Sequence, residues 1–440
     1  MILIIIYVIA YLLRTWVLSL FSYPVRQSLP FNIFISRFYL LTPYILVFIY
    51  EGLYSKRFEF WEETRRLWKS NVLATAVIMI ILYITRSFVV SRAIILIAFL
   101  LNFIFLPIQR NFIKRLLHYL QLWHKNILII GSQPIVEKLT YLFSKNPILG
   151  YKPIANLNNI NQSSIAHLLN NHKVDSIIVN AEDFDQTQIL ELYEIAEGKI
   201  HNFFVIPALS QLQTAGVEIE QLESVLLMKF SYNLLKKESQ IAKRIFDLAI
   251  ASIALIISLP LILIISLLIK ITSTGPIFFI QSRLGKGMKL FQCYKFRTMY
   301  LDADKRLTET LQKSVAQRTE WEKYFKITND PRVTPLGKFL RRSSLDELPQ
   351  LLNVIKGEMS LVGPRPYLPN EVKDIGKEIG IITKVKPGLT GLWQVSGRSQ
   401  LTFAERLRLD EFYVKNWSIW TDIVILVKTI AVLFKAEGAY

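Results

Sequence analysis

LAIASIALIISLPLILIISLLI, residues 248–269, decides how this chain is laid out. It holds no charged side chain, and its length matches the ~20 residues that cross a bilayer as a helix. Read as a full crossing, it separates everything before Lys243 from everything after Lys270 by a membrane. The flanks argue otherwise. Lys236, Lys237, Lys243 and Arg244 precede the run, and Lys270, Arg283, Lys286 and Lys289 follow it. Basic residues on both sides place both ends on the cytoplasmic face. Pro260 sits near the middle with Ser258 beside it. Proline lacks the N–H a helix turn requires, and a serine hydroxyl can satisfy the carbonyl so freed. The run therefore reads as a re-entrant helical hairpin that dips into one leaflet and breaks at Ser258 and Pro260. A kinked full span is the competing reading.

Upstream the chain is just as apolar. Hydrophobic residues make up 52% of its 440 positions, and mean hydropathy is +0.34, too apolar for an ordinary soluble protein. Residues 1–22 carry one charge, Arg14, and lack the basic start and small-residue cleavage site of a signal peptide. Further candidate spans fall at about 38–54, 71–89 and 92–108, each near the ~20 residues a bilayer needs. The loop with Lys56, Arg57, Arg65, Arg66 and Lys69, and the exit with Arg110, Lys114 and Arg115, are more basic than the other two loops. That asymmetry puts both termini of a four-helix unit, residues 1–122, in the cytoplasm.

Residues 123–225 change character. Asn126–Gly131, Val174–Val179 and Phe203–Pro207 read as buried strands, and Ile135–Phe143 as a helix. This alternation predicts a Rossmann-like α/β domain with a parallel sheet. The turn Gly131-Ser-Gln-Pro-Ile-Val136 keeps only the first glycine of G-x-G-x-x-G, which favours a nucleotide fold without a nucleotide. A linker over 226–245 leads to the hairpin, 246–271. Residues 272–440 then read as a mainly α-helical domain. Its tail, Trp417–Phe434, is apolar but interrupted by Asp422 and Lys428, which suits a helix lying in the membrane interface.

The net charge of +18, set beside the apolar spans, favours anionic lipid and phosphorylated substrates over nucleic acid. A single cysteine, Cys293, excludes disulfides within the chain and cysteine-rich metal sites. None of the five histidines lies beyond His201. Chemistry in the C-terminal region must rest on carboxylates, Lys, Arg and hydroxyls.

Those groups concentrate in Arg341-Arg-Ser-Ser-Leu-Asp-Glu-Leu-Pro-Gln350 and in Val362-Gly-Pro-Arg-Pro366. Adjacent carboxylates, Asp346 and Glu347, stand between Arg341, Arg342 and Arg365. A hydrophobic run to Ile355 stops at Gly357, which predicts a helix with a glycine terminator. Ser344, three residues before Glu347, also fits a capping box in which both acids merely complement the helix dipole. Pro349 cannot donate an N–H, which argues for a later helix start with the acids in a turn at its mouth. A helix N-terminus ringed by arginines suits a phosphate, and predicts a carboxylate of low pKa that stays ionised. An ionised aspartate facing a phosphate can act as nucleophile, and its neighbour can hold a divalent cation. Helix neighbours point about 100° apart, so different roles are expected of the two acids. The loop Gly391-Leu-Trp-Gln-Val-Ser-Gly-Arg398, with Lys386-Pro-Gly388 before it, can cradle phosphate through backbone N–H groups. It lacks the Lys-Ser/Thr ending of a P-loop, which argues against ATP hydrolysis.

From about residue 243 onward these stretches resemble the bacterial sugar transferases, polyprenyl-phosphate phosphoglycosyl transferases with one catalytic membrane hairpin. The resemblance is carried by Lys243-Arg-Ile-Phe-Asp247, Ser258-Leu-Pro260, Lys295-Phe-Arg-Thr-Met299, Asp330-Pro-Arg332, Ser344-Leu-Asp-Glu-Leu-Pro-Gln350, Val362-Gly-Pro-Arg-Pro366, Lys386-Pro-Gly388 and Gly391–Gln394 with Ser396-Gly-Arg398. The order of regions is similar to the larger subgroup of undecaprenyl-phosphate galactose- or glucose-1-phosphate transferases. The resemblance implies that Asp346 attacks the sugar-bearing phosphate of a UDP-sugar, releases UMP, and passes the sugar phosphate to undecaprenyl phosphate. It implies Mg2+ at Glu347, and Lys295, Arg297, Arg332, Arg341, Arg365 and Arg398 on phosphate oxygens. It also implies a multi-pass protein of the bacterial inner membrane with a cytoplasmic catalytic domain, starting exopolysaccharide, capsule or O-antigen synthesis. A homodimer is one assembly it allows. Two alternatives remain: a lipid glycosyltransferase that moves only the sugar and releases UDP, and a membrane-tethered regulator sensing a ligand through the α/β domain.

Overall fold

The computed structural model describes residues 2–20, 38–84, 92–157, 165, 168–169, 173–197, 199–200, 202–207, 217–222, 225–230, 234, 236–313, 318, 330–398 and 401–435. It divides into two compact units, Met1–Gln211 and Leu212–Tyr440.

In the first unit, helices α1 (Ile2–Leu20), α2 (Thr42–Tyr50), α3 (Phe60–Ile84) and α4 (Arg92–Tyr119) share one apolar core around Ile6, Ala10, Tyr44, Leu67, Ala74 and Ala98. α3 and α4 are long and apolar enough to cross a membrane. α2 is not: nine residues rise about 14 Å, against the span expected over 38–54. The helix ends where Gly52 turns the chain at φ 71°, just after Glu51, whose N–H still bonds Val47 O and whose carboxylate pairs with Lys69 at 2.6 Å. The residues before it, 21–37, lie outside the described ones.

A parallel sheet of order β2-β1-β3-β4 follows in the same unit: β1 (Lys125–Ile130), β2 (Tyr151–Leu157), β3 (Ser176–Asn180) and β4 (Asn202–Ile206). Sequence reading missed β2, whose Tyr151-Lys-Pro-Ile segment carries a proline and suits only an edge. Helix α5 (Gln133–Lys145) starts right after the glycine turn. Its mouth is filled from within the chain. The Asp183 carboxylate accepts from the Ser132 N–H and the Asn180 amide, both at 2.7 Å. Burial opposes ionisation of Asp183, yet these donors hold it below the usual carboxylate range. A carboxylate thus occupies the helix N-terminus that a nucleotide phosphate takes in such folds. Helix α6 (Gln186–Ala196) packs Leu192 and Ala196 into the sheet core.

The second unit opens with the antiparallel pair β5 (Val217–Leu222) and β6 (Val225–Phe230). The stretch read as a linker over 226–245 therefore carries most of β6 and, from Lys237, the start of a long helix. That helix, α7 (Lys237–Thr272), corrects the expected break: it continues through Pro260 for 36 residues, about 54 Å of helical path. A proline deletes only its own rung of the ladder. Ser258 Oγ donates to Leu255 O at 3.3 Å, and the apolar turns on either side stay helical. Ile253, Ile256, Ile257, Leu263 and Leu267 are exposed along it.

Both ends of α7 reach one β-hairpin, β7 (Phe278–Leu284) with β8 (Leu290–Phe296). Lys286 Nζ, at the hairpin's turn, donates to Gln240 Oε1 at 2.9 Å. Arg297 Nη2, at its open end, donates to Ser273 O at 3.0 Å, one residue past α7. A buried ionic cluster fixes the first half of α7. Lys243 Nζ lies 2.6 Å from Asp422, which also accepts from Tyr413 and Trp417 at 2.7 and 3.1 Å. Asp247 accepts from Ser360 Oγ at 2.7 Å and the Leu361 N–H at 3.2 Å. Asp422 is thus a core residue of the terminal helix Ile419–Lys435, tied to the Lys243–Asp247 motif 179 residues earlier.

Candidate active site

Helix α8 (Ala303–Lys313) follows the hairpin, and α9 (Pro335–Arg342) leads to the acid pair. Thr334 caps α9, its Oγ1 accepting from the Gly337 N–H at 2.9 Å. Gly337 lies against the 298 backbone, and an added Cβ would fall 2.1 Å from Thr298 O. α9 is thereby held against the segment that follows β8, where the Thr334 N–H also donates to Thr298 O at 3.0 Å.

Beyond Arg342 the chain bends at Ser344, a non-glycine residue at φ 54°. A 3-10 turn, Leu345–Glu347, carries both acids, and helix α10 (Gln350–Lys356) begins only after Pro349. Gly357 ends it at φ 85°. The late helix start and the glycine stop follow the sequence reading. The capping box does not form, because a left-handed Ser344 makes no side-chain cap hydrogen bond.

β8 delivers Lys295, whose Nζ lies 2.7 Å from Glu347 Oε1. Burial works against the Lys295 charge, but Glu347 and Asp346 hold its pKa above the ordinary value. α9 delivers Arg341, whose Nε donates to Thr298 Oγ1 at 2.9 Å within the field of Asp346. Arg398 lies in the field of Glu347. The expected low pKa of Asp346 is corrected here: it is raised to about 6. Burial is the first cause and the adjacent Glu347 the second, and together they outweigh Lys295 and Arg341.

The other basic residues divide. Arg332 is held bidentately by Asp330, with contacts of 2.6 to 3.0 Å, and Asp330 also feels Arg341. Arg365 binds Asp410 through its backbone N–H at 3.0 Å, and its guanidinium stands 3.6 Å from Glu371. Arg297 is not brought to the acids: it is buried and donates to Ser273 O and Oγ. Sequence reading left Arg283 out of the site, yet it lies in the fields of Arg365 and Glu347. The available signal was register. β7 pairs Phe279 with Lys295 and Arg283 with Phe291, which puts Arg283 on the Lys295 face of the hairpin.

Among the described residues no group of three or more His, Cys, Asp or Glu is placed to hold a metal alone. Mg2+ needs only one or two carboxylates when substrate phosphate and water complete its shell. Glu347 supplies one, and the repulsion that lifts Asp346 is what a cation beside it would relieve. The donor set fits.

The sequence of this unit matches the family model described as Bacterial sugar transferase over residues 238–436. The chain is 34% identical over 404 residues to the UDP-galactose-lipid carrier transferase of Erwinia amylovora, covering 88% of this chain and 84% of that protein. It is 34% identical over 403 residues to the undecaprenyl-phosphate galactose phosphotransferase of Salmonella typhimurium, with the same coverage. It is 30% identical over 342 residues to the UDP-glucose:undecaprenyl-phosphate glucose-1-phosphate transferase of Xanthomonas campestris, covering 72% of this chain and 68% of that protein.

Proposed function

Because this chain belongs to the bacterial sugar transferase family, we propose that it moves a hexose-1-phosphate from a UDP-sugar to undecaprenyl phosphate. One oxygen of the Asp346 carboxylate attacks the phosphorus that bears the sugar. The bond from that phosphorus to the bridging oxygen breaks, and UMP leaves with the electron pair. A phosphate oxygen of undecaprenyl phosphate then attacks the same phosphorus, breaking the aspartyl bond and restoring the carboxylate. Mg2+ held at Glu347 supplies charge neutralisation at the phosphate oxygens. Lys295 keeps Glu347 in place, and Arg341, Arg365 and Arg398 offset the charge that spreads over the oxygens in transfer.

The observation that carries this reading is the division of labour within the acid pair. Glu347 is engaged by Lys295, whereas Asp346 is a half-buried carboxyl lifted to about 6, ionised at neutral pH, with Lys295 and Arg341 in its field. A regulator would leave such a pair without a task. The acceptor is a membrane lipid, which suits a catalytic unit built on α7. The contacts of both α7 ends with one hairpin support placing those ends on the same, cytoplasmic side of the inner membrane. The test is product identity, with purified protein, undecaprenyl phosphate and either UDP-galactose or UDP-glucose. UMP and a lipid diphosphate sugar are expected; UDP as the nucleotide product would replace this reading with simple glycosyl transfer.

A further inference from the structure

A second basic site lies off the opposite end of α10 from Asp346. Arg244, on α7, donates to Val354 O at 2.6 Å and Ile355 O at 2.7 Å, the last carbonyls of α10. Beside it opens a cavity of about 220 Å³ lined by Arg244, Lys286, Lys384 and Lys386. Arg244 and Lys386 flank Gly357: a Cβ there would stand 3.3 Å from Arg244 Nη2 and 3.4 Å from Lys386 Nζ.

The charge around this cavity is not balanced from within. Its one lining carboxylate, Asp247, is already engaged by Ser360 and the Leu361 N–H, with Lys243 3.6 Å away. Lys243 is in turn matched by Asp422. Among the described residues Lys286 donates to the neutral Gln240 amide, and Arg244 to backbone carbonyls. Among the described residues no salt bridge engages Arg244, Lys286, Lys384 or Lys386. The α10 carbonyls would repel an anion, but Arg244 covers them. Burial, with Arg244 and then Lys286 nearby, holds the Lys386 ammonium below its ordinary pKa. Like charges gathered around a concavity focus positive potential and attract an anion.

The position in the chain indicates which anion. Gln240, Lys243, Arg244 and Asp247 line the cavity, and the charge-free run of α7 starts at the next residue, Leu248. In a membrane-seated α7 the cavity therefore opens where water meets headgroups. Basic pockets at that level bind lipid phosphates. We propose that this cavity binds the phosphate of an anionic phospholipid headgroup, at a site separate from the phosphates handled at Asp346. The proposal rests on α7 lying in the membrane and not on the transfer chemistry.

The test reads lipid binding rather than turnover. Full-length protein is purified in detergent with equal phosphatidylglycerol and phosphatidylcholine, and retained lipid is counted by native mass spectrometry. Wild type should retain phosphatidylglycerol preferentially. Lys384→Gln/Lys386→Gln should cut that preference at least about tenfold, given the weight of two basic side chains at a lipid surface. Lys384→Gln alone, at an exposed position that carries no core packing, should shift it the same way. Lys138→Gln/Lys145→Gln, the same charge loss on α5, should leave it unchanged. Equal retention of both lipids by wild type, or an equal loss in the α5 variant, overturns the proposal. Thermal stabilisation by inorganic phosphate without phosphatidylglycerol preference would assign the cavity to a free phosphate and overturn the headgroup.

Discussion

Lys295 Nζ stands 2.7 Å from Glu347 Oε1, across 52 residues of sequence. Of two adjacent carboxylates, one is therefore bound in an ion pair. The other, Asp346, is pushed to about 6 by burial and by that same neighbour.

The raised pKa gives the reaction an acid limb. Only the ionised carboxylate attacks phosphorus, so the rate of UMP release should level off above the limb and fall about tenfold per pH unit well below it. The metal-free carboxyl places the limb near pH 6, and Mg2+ beside it should lower the midpoint by relieving the repulsion from Glu347. Initial rates between pH 4.5 and 8 at a series of Mg2+ concentrations measure this; a midpoint that rises with Mg2+ would overturn the charge assignment of the pair.

Asp346→Asn should abolish turnover with either sugar donor while making the protein more stable. A carboxyl raised from 3.8 to about 6 favours the folded state only while protonated. That contribution is lost as pH rises through the folded pKa. The amide never ionises, so at pH 8 the variant should gain about 1–3 kcal/mol, shrinking towards zero near pH 4. Thermal melts at both pH values report it. Substantial residual turnover in the variant would refute the covalent step.

Lys295→Gln leaves Glu347 uncompensated beside Asp346. The acid limb should then move to higher pH than in the wild type at the same Mg2+ concentration, since Lys295 holds the Asp346 pKa down, and the rate on the plateau should drop. An unshifted limb would mean that Lys295 does not set the charge state of the pair. Chelation should likewise stop wild-type turnover, with Mg2+ restoring it, and Glu347→Gln should fold yet lose most of the Mg2+-dependent rate. Turnover indifferent to chelator would remove the metal from the scheme.

Lys243→Met strands Asp422 in the core, where among the described residues the neutral donors Tyr413 and Trp417 remain to hold it. Breaking one side of a buried pair costs about 3–5 kcal/mol. The melting temperature should drop accordingly, with Lys243→Met/Asp422→Leu recovering part of the loss. A silent single variant would show that the cluster does not anchor α7.

Cysteines at Lys237 and Lys286, in a Cys293→Ser background, should both be labelled from the cytoplasmic side alone, since Lys286 bonds the helix start at Gln240. Labelling of position 286 from outside would end the same-side placement of the two α7 flanks. Pro260→Leu restores the missing rung and should stiffen α7 against the bend that brings both its ends to one hairpin, with activity lost.

Much of the site was legible before any coordinates. Pro349 and Gly357 act on their own backbone, so they bound α10 in the sequence as they do in the structure. The apolar strands β1, β3 and β4 announced themselves by composition, whereas β2, with its proline and polar residues, did not. The break at Pro260 was over-read, because a local rule counts the one lost hydrogen bond and not the apolar turns that keep α7 helical around it.

The sequence by itself determined the proline and glycine limits of α10, the apolar strands β1, β3 and β4, and that an acid pair sits among basic residues. These follow from backbone constraints and near-neighbour periodicity. Tertiary structure decided which acid is paired and which is lifted, that Arg297 turns to Ser273, that Asp183 fills the helix mouth in the α/β domain, and that Lys386 faces a cavity of its own. Each of these depends on desolvation and on charges contributed from far along the chain. A carboxyl's proton affinity is set by the groups that folding brings around it, and no local pattern carries that information.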